Sequence, residues 1–287
     1  MEYGLMGTGL MGAPMALRLH HAGLDMTVYN RTTEKVQHLA EAGIAIAGSP
    51  QALASVVDGV ILMLTDAHAI RETLLTDAVK AALAGKTVLQ MGTIGPSESQ
   101  AIAQELQAAN IDYLEAPVLG SIPQAQHGKL IVMVGSTLPQ FEQWKSLLQT
   151  LGENVCHIGP VGTAMALKLS LNQLIAGLTN SFALSLAFAK QNQVPVDLFM
   201  AILRESALYA PTFDKKLARM QTHNFENPNF PTKHLLKDVQ LFLKEAATLE
   251  LQTGNLDGTE RILEKAIALG FGELDYSAIA AAVEPRA

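Results

Sequence analysis

Up to about residue 160 the chain alternates short apolar runs with longer amphipathic stretches. The runs at 3–6, 26–29, 59–64, 87–90, 113–114, 130–134 and 155–158 predict strands, and the stretches at 11–21, 34–42, 67–75, 96–109 and 139–151 carry helical spacing. Strands and helices in alternation, with short loops between, predict a doubly wound, mostly parallel sheet whose ligands sit at the carboxyl ends of the strands. Those ends fall at Gly7, Asn30, Leu64, Gln90 to Thr93, and the turn beginning near Glu115. From Gly162 the strand pattern stops, and helical stretches follow at 162–191, 194–205, 213–222, 233–249 and 255–269. Pro211, Pro228, Pro231 and Gly254 punctuate them. The expectation is two domains: an α/β domain over 1–161, and an all-α domain over 162–287 joined to it by the long helix that starts near Gly162.

The first strand runs straight into Gly7-Thr8-Gly9-Leu10-Met11-Gly12, a G-x-G-x-x-G turn at the mouth of an amphipathic helix. The pattern alone is common, but a dinucleotide-binding Rossmann unit requires it between a strand and a helix, as here. The first glycine permits a tight turn, the second lets the backbone approach a pyrophosphate, and the third lets the helix pack closely on the strand. The helix N-terminus then offers N–H groups and a positive dipole end to the phosphates. Pro14 falls early in that helix, where a missing N–H costs little. An NAD-binding unit places Asp or Glu about 20 residues on, at the end of the next strand, to hold the ribose 2′-hydroxyl. Here that strand ends in Asn30-Arg31-Thr32, with no acid. An arginine among small polar side chains suits a 2′-phosphate, so the expected cofactor is NADP(H).

Of 287 residues, 49% are hydrophobic and 16% charged, enough apolar material for a large buried core. A net charge of −7 without any basic run argues against nucleic acid or an anionic membrane as partner. Cys156 is the only cysteine, which rules out an intrachain disulfide, and the eight histidines show no ligand spacing, so no metal is expected. A lone cysteine fits a reducing cytosol, and an apolar start that reads into a glycine turn is unlike a signal peptide; a cytoplasmic location is expected. The uncharged stretch 169–189, between Lys168 and Lys190, has the length of a membrane span. Its load of Ser170, Asn172, Gln173, Thr179, Asn180, Ser181 and Ser185 reads better as a helix buried between layers of protein.

Three patches carry candidate chemistry. In Gly92-Thr93-Ile94-Gly95-Pro96 a hydroxyl follows a buried strand, where it could either cap a turn or touch a nicotinamide. In Glu115-Ala116-Pro117-Val118-Leu119-Gly120-Ser121 a Gly-Ser turn could be ordinary capping or could present N–H groups and a hydroxyl to a carboxylate. After Gly159-Pro160-Val161-Gly162, Lys168 and Asn172 lie four apart and share one helix face. On its own such a lysine reads first as a helix-edge side chain that carries its ammonium out to solvent. Beside a bound carbonyl it would instead hydrogen-bond the oxygen and donate a proton as hydride arrives at carbon.

Taken in order, these motifs resemble the β-hydroxyacid dehydrogenases, the family of 3-hydroxyisobutyrate dehydrogenase, tartronate semialdehyde reductase and the glyoxylate/succinic semialdehyde reductases. The resemblance covers essentially the whole chain. It rests on the glycine loop, on Glu115 to Ser121 as the substrate motif, on Gly159, Gly162, Lys168 and Asn172 as the catalytic motif, and on Lys237-Asp238 as a late Lys-Asp motif. It implies that Lys168 is the general acid/base and that Asn172 orients the substrate. Gly120 and Ser121 would hold a carboxylate, while Phe230 and Asp238 would line the site from the helical domain. Gly7, Thr8, Gly9, Leu10, Met11, Gly12, Asn30, Arg31, Thr32, Leu64, Thr93 and Lys237 would contact the cofactor. Without the resemblance, Lys237 and Asp238 read as a solvated helical pair. Leu119 departs from the pattern: many members have serine there, and leucine cannot hydrogen-bond a carboxylate.

The expected activity is therefore NADPH-dependent reduction of a short carboxylated aldehyde, glyoxylate or succinic semialdehyde, by a homodimer or homotetramer. The alternative within the family is a 3-hydroxyisobutyrate or tartronate semialdehyde dehydrogenase. An imine reductase fits less well, because Lys168 matches the hydroxyacid branch. A non-catalytic NADP-binding module is the rival from another class, and it would not need both Lys168 and Asn172.

Overall fold

In the computed structural model, which describes residues 1–284, the apolar runs form β1 (Glu2–Met6), β2 (Asp25–Tyr29), β3 (Ala45–Ile46), β4 (Gly59–Leu62), β5 (Thr87–Gln90) and β6 (Asp112–Glu115). These are parallel neighbours in the order β3-β2-β1-β4-β5-β6, with Leu5 in register with Val28 on one side and Ile61 on the other. The sheet continues through β7 (Val118–Leu119), β8 (Ile131–Gly135) and β9 (Asn154–Gly159). There β8 runs antiparallel to both β6 and β7, and β9 runs parallel to β8.

The intervening helices are α1 (Gly12–His21), α2 (Gln37–Glu41), α3 (Pro50–Val56), α4 (Ala67–Leu74), α5 (Asp77–Leu83), α6 (Pro96–Ala108), α7 (Ile122–His127) and α8 (Leu138–Leu151). They cover both faces of the sheet, which is why every residue of β4 and β5 is buried. Leu5, Ile61, Leu89 and Leu114 point into one core, with residues of α1 and α8. Met6, Val60, Leu62 and Val88 point into the other, with residues of α3, α4 and α6. The predicted Rossmann-type sheet is the observed one. Three details differ: the strand expected at 59–64 ends at Leu62, leaving Leu64 on a loop; the helix expected at 34–42 is a 3₁₀ turn (Thr33–Val36) followed by α2; and the short β3, β7, α3, α5 and α7 carry no periodic signal.

The remainder is helical: α9 (Thr163–Gln191), α10 (Val196–Arg204), α11 (Pro211–Thr222), α12 (Thr232–Thr248), α13 (Gly254–Ala266) and α14 (Ile279–Val283), with a π turn at Ile267–Phe271 and a 3₁₀ turn at Tyr276–Ala278. The chain divides into two compact units, Met1–Lys168 and Leu169–Ala287; residues 285–287 of the expected helical domain lie outside the described ones. The second unit has its own core, in which the Phe182 and Phe213 rings stack at 4.6 Å. No helix among the described residues is long and apolar enough to cross a membrane. The stretch 169–189, expected to be buried between layers of protein, is covered on one side only. Ala176, Phe182, Ala183 and Leu186 are in the core, but Leu174, Leu178, Leu184 and Phe188 stand exposed on the other side of α9.

Candidate active site

The glycine loop leaves β1 and enters α1 with the geometry that its spacing predicts. Gly7 has φ +99°, and a Cβ there would meet the Met63 carbonyl. Gly12 lies so close to Gly7 that any side chain would overlap the Gly7 carbonyl oxygen. A Cβ on Gly9, by contrast, would meet nothing, so here the backbone is open to a ligand. Leu10 is exposed, Met11 half-buried, and α1 begins without a side-chain cap or an acidic residue in its first turn. Thr8 is buried, and its Oγ1 has no hydrogen-bond partner. An uncapped helix N-terminus, an approachable backbone and a spare hydroxyl fit a dinucleotide pyrophosphate.

The neighbouring loops are tied to this one. Gly7 N–H donates to Tyr29 O at 2.9 Å, Met63 N–H to Met6 O at 2.9 Å, and Gly92 N–H to Leu62 O at 3.2 Å. The loops bearing Asn30, Leu64 and Thr93 therefore stand side by side with the glycine turn at the carboxyl edge of the sheet. Asn30 closes the turn itself: its Oδ1 accepts the Thr8 N–H at 3.2 Å, while its Nδ2 donates to Thr32 O at 3.0 Å. Arg31 and Thr32 are exposed.

Gly120 and Ser121 follow β7 and open α7, which packs on α1. Gln124 Oε1 accepts both the Ser121 N–H at 3.0 Å and the Ser121 hydroxyl at 2.6 Å. The donors expected for a carboxylate are engaged in local capping, so a ligand would have to take them from Gln124. Leu119 is half-buried beside them.

Lys168 sits in the second turn of α9 and is only 9% exposed, flanked by the buried Met165 and Leu169. It does not snorkel to solvent. One turn on, Asn172 is 2% exposed, and its Nδ2 donates to Asp238 Oδ2 at 2.6 Å. Asn172 Oδ1 is buried without a hydrogen-bond partner. Asp238 is likewise buried, its Oδ1 3.1 Å from Lys237 Nζ, so the Lys-Asp pair on α12 is not a solvated one. Phe230, just before α12, meets the Tyr276 ring edge-on at 5.8 Å. On the same helix burial, reinforced by the charges of Lys237 and Lys233, pushes the His234 imidazole below its ordinary pKa. Thus Asn172, Lys237 and Asp238 form one cluster in the second unit, and the glycine loop, Asn30, Leu64 and Thr93 form another in the first.

Sequence reasoning missed Glu115 as an individual residue. At the end of β6 it is fully buried, with Oε1 accepting N–H groups of Gly162 at 2.8 Å, Ala164 at 2.9 Å and Met165 at 3.1 Å, the entry to α9. Its Oε2 accepts the Ser99 hydroxyl at 2.5 Å, and Ser99 lies 2.8 Å from the Tyr113 hydroxyl. Burial raises the Glu115 pKa against the opposing pull of these hydrogen bonds. The available signal was an acid directly after the buried Tyr113 and Leu114 of β6, together with a helix start that has no side chain of its own at Gly162.

Two family models divide the chain between them. One, described as the NAD binding domain of 6-phosphogluconate dehydrogenase, matches residues 2–159; the other, described as NAD-binding of NADP-dependent 3-hydroxyisobutyrate dehydrogenase, matches 162–283. Among curated relatives, 2-hydroxy-3-oxopropionate reductase of Escherichia coli is 31% identical over 99% of this chain and 97% of its own. Glyoxylate/succinic semialdehyde reductase 1 of Arabidopsis thaliana is 29% identical over 99% of both chains. The crystal structure of 3-hydroxyisobutyrate dehydrogenase from Salmonella typhimurium superposes with a TM-score of 0.86 at 25% identity, covering 98% of this chain and 99% of that one. With both halves matched and the whole length shared, the chain belongs to the β-hydroxyacid dehydrogenase family and is an NAD(P)-dependent oxidoreductase.

Proposed function

We propose that this enzyme uses NADPH to reduce short carboxylated aldehydes, glyoxylate or succinic semialdehyde, to the corresponding hydroxyacids. The observation that carries the reading is Lys168, a nearly buried ammonium one helical turn from an Asn172 whose amide is held by Asp238. The bound dihydronicotinamide supplies hydride to the aldehyde carbon. Lys168 Nζ hydrogen-bonds the aldehyde oxygen, gives it a proton as negative charge develops there, and recovers a proton from water. Asn172 orients the substrate, and its unpartnered Oδ1 is a ready acceptor for a hydroxyl or for the lysine ammonium. Gly120 and Ser121 hold the carboxylate, with Phe230 and Asp238 as further substrate contacts and Thr93, Leu64 and Lys237 as cofactor contacts.

The choice of NADPH rests on Asn30-Arg31-Thr32: no carboxylate stands at the end of β2 to meet a 2′-hydroxyl, and the exposed Arg31 suits a 2′-phosphate. Residues 1–161 are assigned to cofactor binding and 162–287 to substrate binding and self-association. The similarity to the E. coli 2-hydroxy-3-oxopropionate reductase favours one second reading, reduction of tartronate semialdehyde.

Consumption of NADPH against glyoxylate, succinic semialdehyde, tartronate semialdehyde and methylmalonate semialdehyde tests the substrate class. The first two should give the highest kcat/KM, and equal rates with NADH throughout would defeat the cofactor assignment. Lys168→Ala should lose about 10²–10⁴-fold in kcat, the usual contribution of a general acid. A folded Lys168→Ala protein with full turnover would remove Lys168 from the mechanism.

A further inference from the structure

An α-helix begins with N–H groups that have no intrahelical acceptor, and a Ser, Thr, Asp or Asn next to them in sequence usually satisfies them. At the start of α9 the residue in that place is Gly162, which has no side chain to offer. The acceptor comes instead from a strand 47 residues earlier in the chain, Glu115. A local cap fastens a helix only to its own loop, whereas a cap from a strand fastens it to the sheet.

The surroundings are built for this. Three N–H donors on Oε1 and the Ser99 hydroxyl on Oε2 occupy the acceptor sites of a carboxylate. Ser99 lies in α6, the helix that follows Thr93, and Gln100 of the same helix donates to Val161 O at 3.2 Å. Across the sheet Glu115 pairs with Gly135 of β8, where any Cβ would press on the Glu115 carboxylate. Lys168 is three residues beyond Met165 and four beyond Ala164, so it lies on the helix face below the pinned N–H groups.

We propose that Glu115 is the positioning residue for Lys168, a carboxylate that sets the height and rotation of the first turns of α9 against the carboxyl edge of the sheet. The role rests on the catalytic reading of Lys168. Glu115 touches no reacting atom, and its contribution is to hold the ammonium where the aldehyde oxygen will be.

Three single variants and one double variant test it, each measured for kcat, NADPH KM, melting temperature and amide hydrogen exchange. Glu115→Ala releases the helix start: kcat per folded molecule should fall at least about tenfold, the scale of a small misplacement of a reacting group, with NADPH KM unchanged. Exchange at the Ala164 and Met165 amides should accelerate. Glu115→Gln keeps an acceptor oxygen for those amides, and Ser99 can turn to accept from its NH₂, so kcat and exchange should return to wild-type values. Gly135→Ala displaces the carboxylate without removing it and should mimic Glu115→Ala, which keeps the test decisive where Glu115→Ala does not fold. On a Lys168→Ala background, Glu115→Ala should cost no further kcat. A lowered melting temperature with wild-type kcat in whichever of Glu115→Ala and Gly135→Ala folds would reduce Glu115 to a purely structural part and overturn the proposal. Retained turnover in Lys168→Ala would instead overturn the catalytic reading beneath it.

Discussion

Asn30 does two things with one amide. Its oxygen fastens the glycine turn at Thr8, and its nitrogen fastens the segment that carries Arg31 and Thr32. The residue that stands where an NAD enzyme has its acid thus shapes the turn from within, a use no spacing rule announces. Arg31, exposed beside it, is free to change without disturbing the turn. Arg31→Ala should therefore raise the dissociation constant for NADPH about tenfold, the worth of one charge-assisted hydrogen bond to a phosphate, and leave that for NADH unchanged; fluorescence titration of both nucleotides measures the split. At this scale the sequence was legible where chemistry demands one residue type, glycine where a Cβ cannot fit at Gly7 and Gly12. It was opaque where a common residue gains its meaning from a distant partner. Glu115 reads as one more motif position until the amides of α9 converge on it.

Elements long enough to show a period, such as α1, α6, α8 and α9, were legible almost to the residue, because one face of each must be apolar. The two-residue strands β3 and β7 show no period and exist through tertiary pairing, and the short α7 shows none either, held by its Ser121–Gln124 cap and its packing on α1. The link between α11 and the 3₁₀ turn at Tyr276–Ala278 belongs to the same class. Lys216 Nζ lies 2.8 Å from both carboxylate oxygens of Asp275 and 4.1 Å from the centre of the Tyr276 ring. Asp275 is fully buried and also accepts the Ser277 N–H at 3.1 Å and its hydroxyl at 2.7 Å. Lys216→Met keeps the aliphatic packing but leaves that carboxylate without its cation, and breaking a buried pair from one side costs about 3–5 kcal/mol. Urea denaturation should show a stability loss of that order. Because Tyr276 bears on Phe230, a candidate substrate contact, the substrate KM should rise as well. A loss below about 1 kcal/mol would be the signature of an exposed pair and would contradict the burial of Asp275.

For the molecule as a whole, the unexpected feature is how much apolar surface the second unit leaves uncovered. Leu174, Leu178, Leu184 and Phe188 of α9 are 40–71% exposed, and Leu198 and Ile202 of α10 are 54% and 65% exposed. Isolated exposed leucines are ordinary, but repeated ones at helical spacing on one unit mark an interaction surface. The stretch 169–189 holds no charge, so burying it against a partner would strand none. A second copy of the chain brings an identical uncharged surface, and a two-fold contact sets each patch against its own equivalent. The expected outcome is a concentration-independent oligomer by light scattering. Leu184→Glu combined with Phe188→Glu should dissociate it. Full burial of a large apolar side chain is worth about 1.5–3 kcal/mol, so losing two already half-covered ones should weaken association by roughly 2–4 kcal/mol, about 30- to 1,000-fold in dissociation constant. The dissociated variant should keep its helical circular dichroism, because both residues lie outside the core of their own unit. A wild-type chain that stays monomeric at high micromolar concentration would show that no second copy covers this surface.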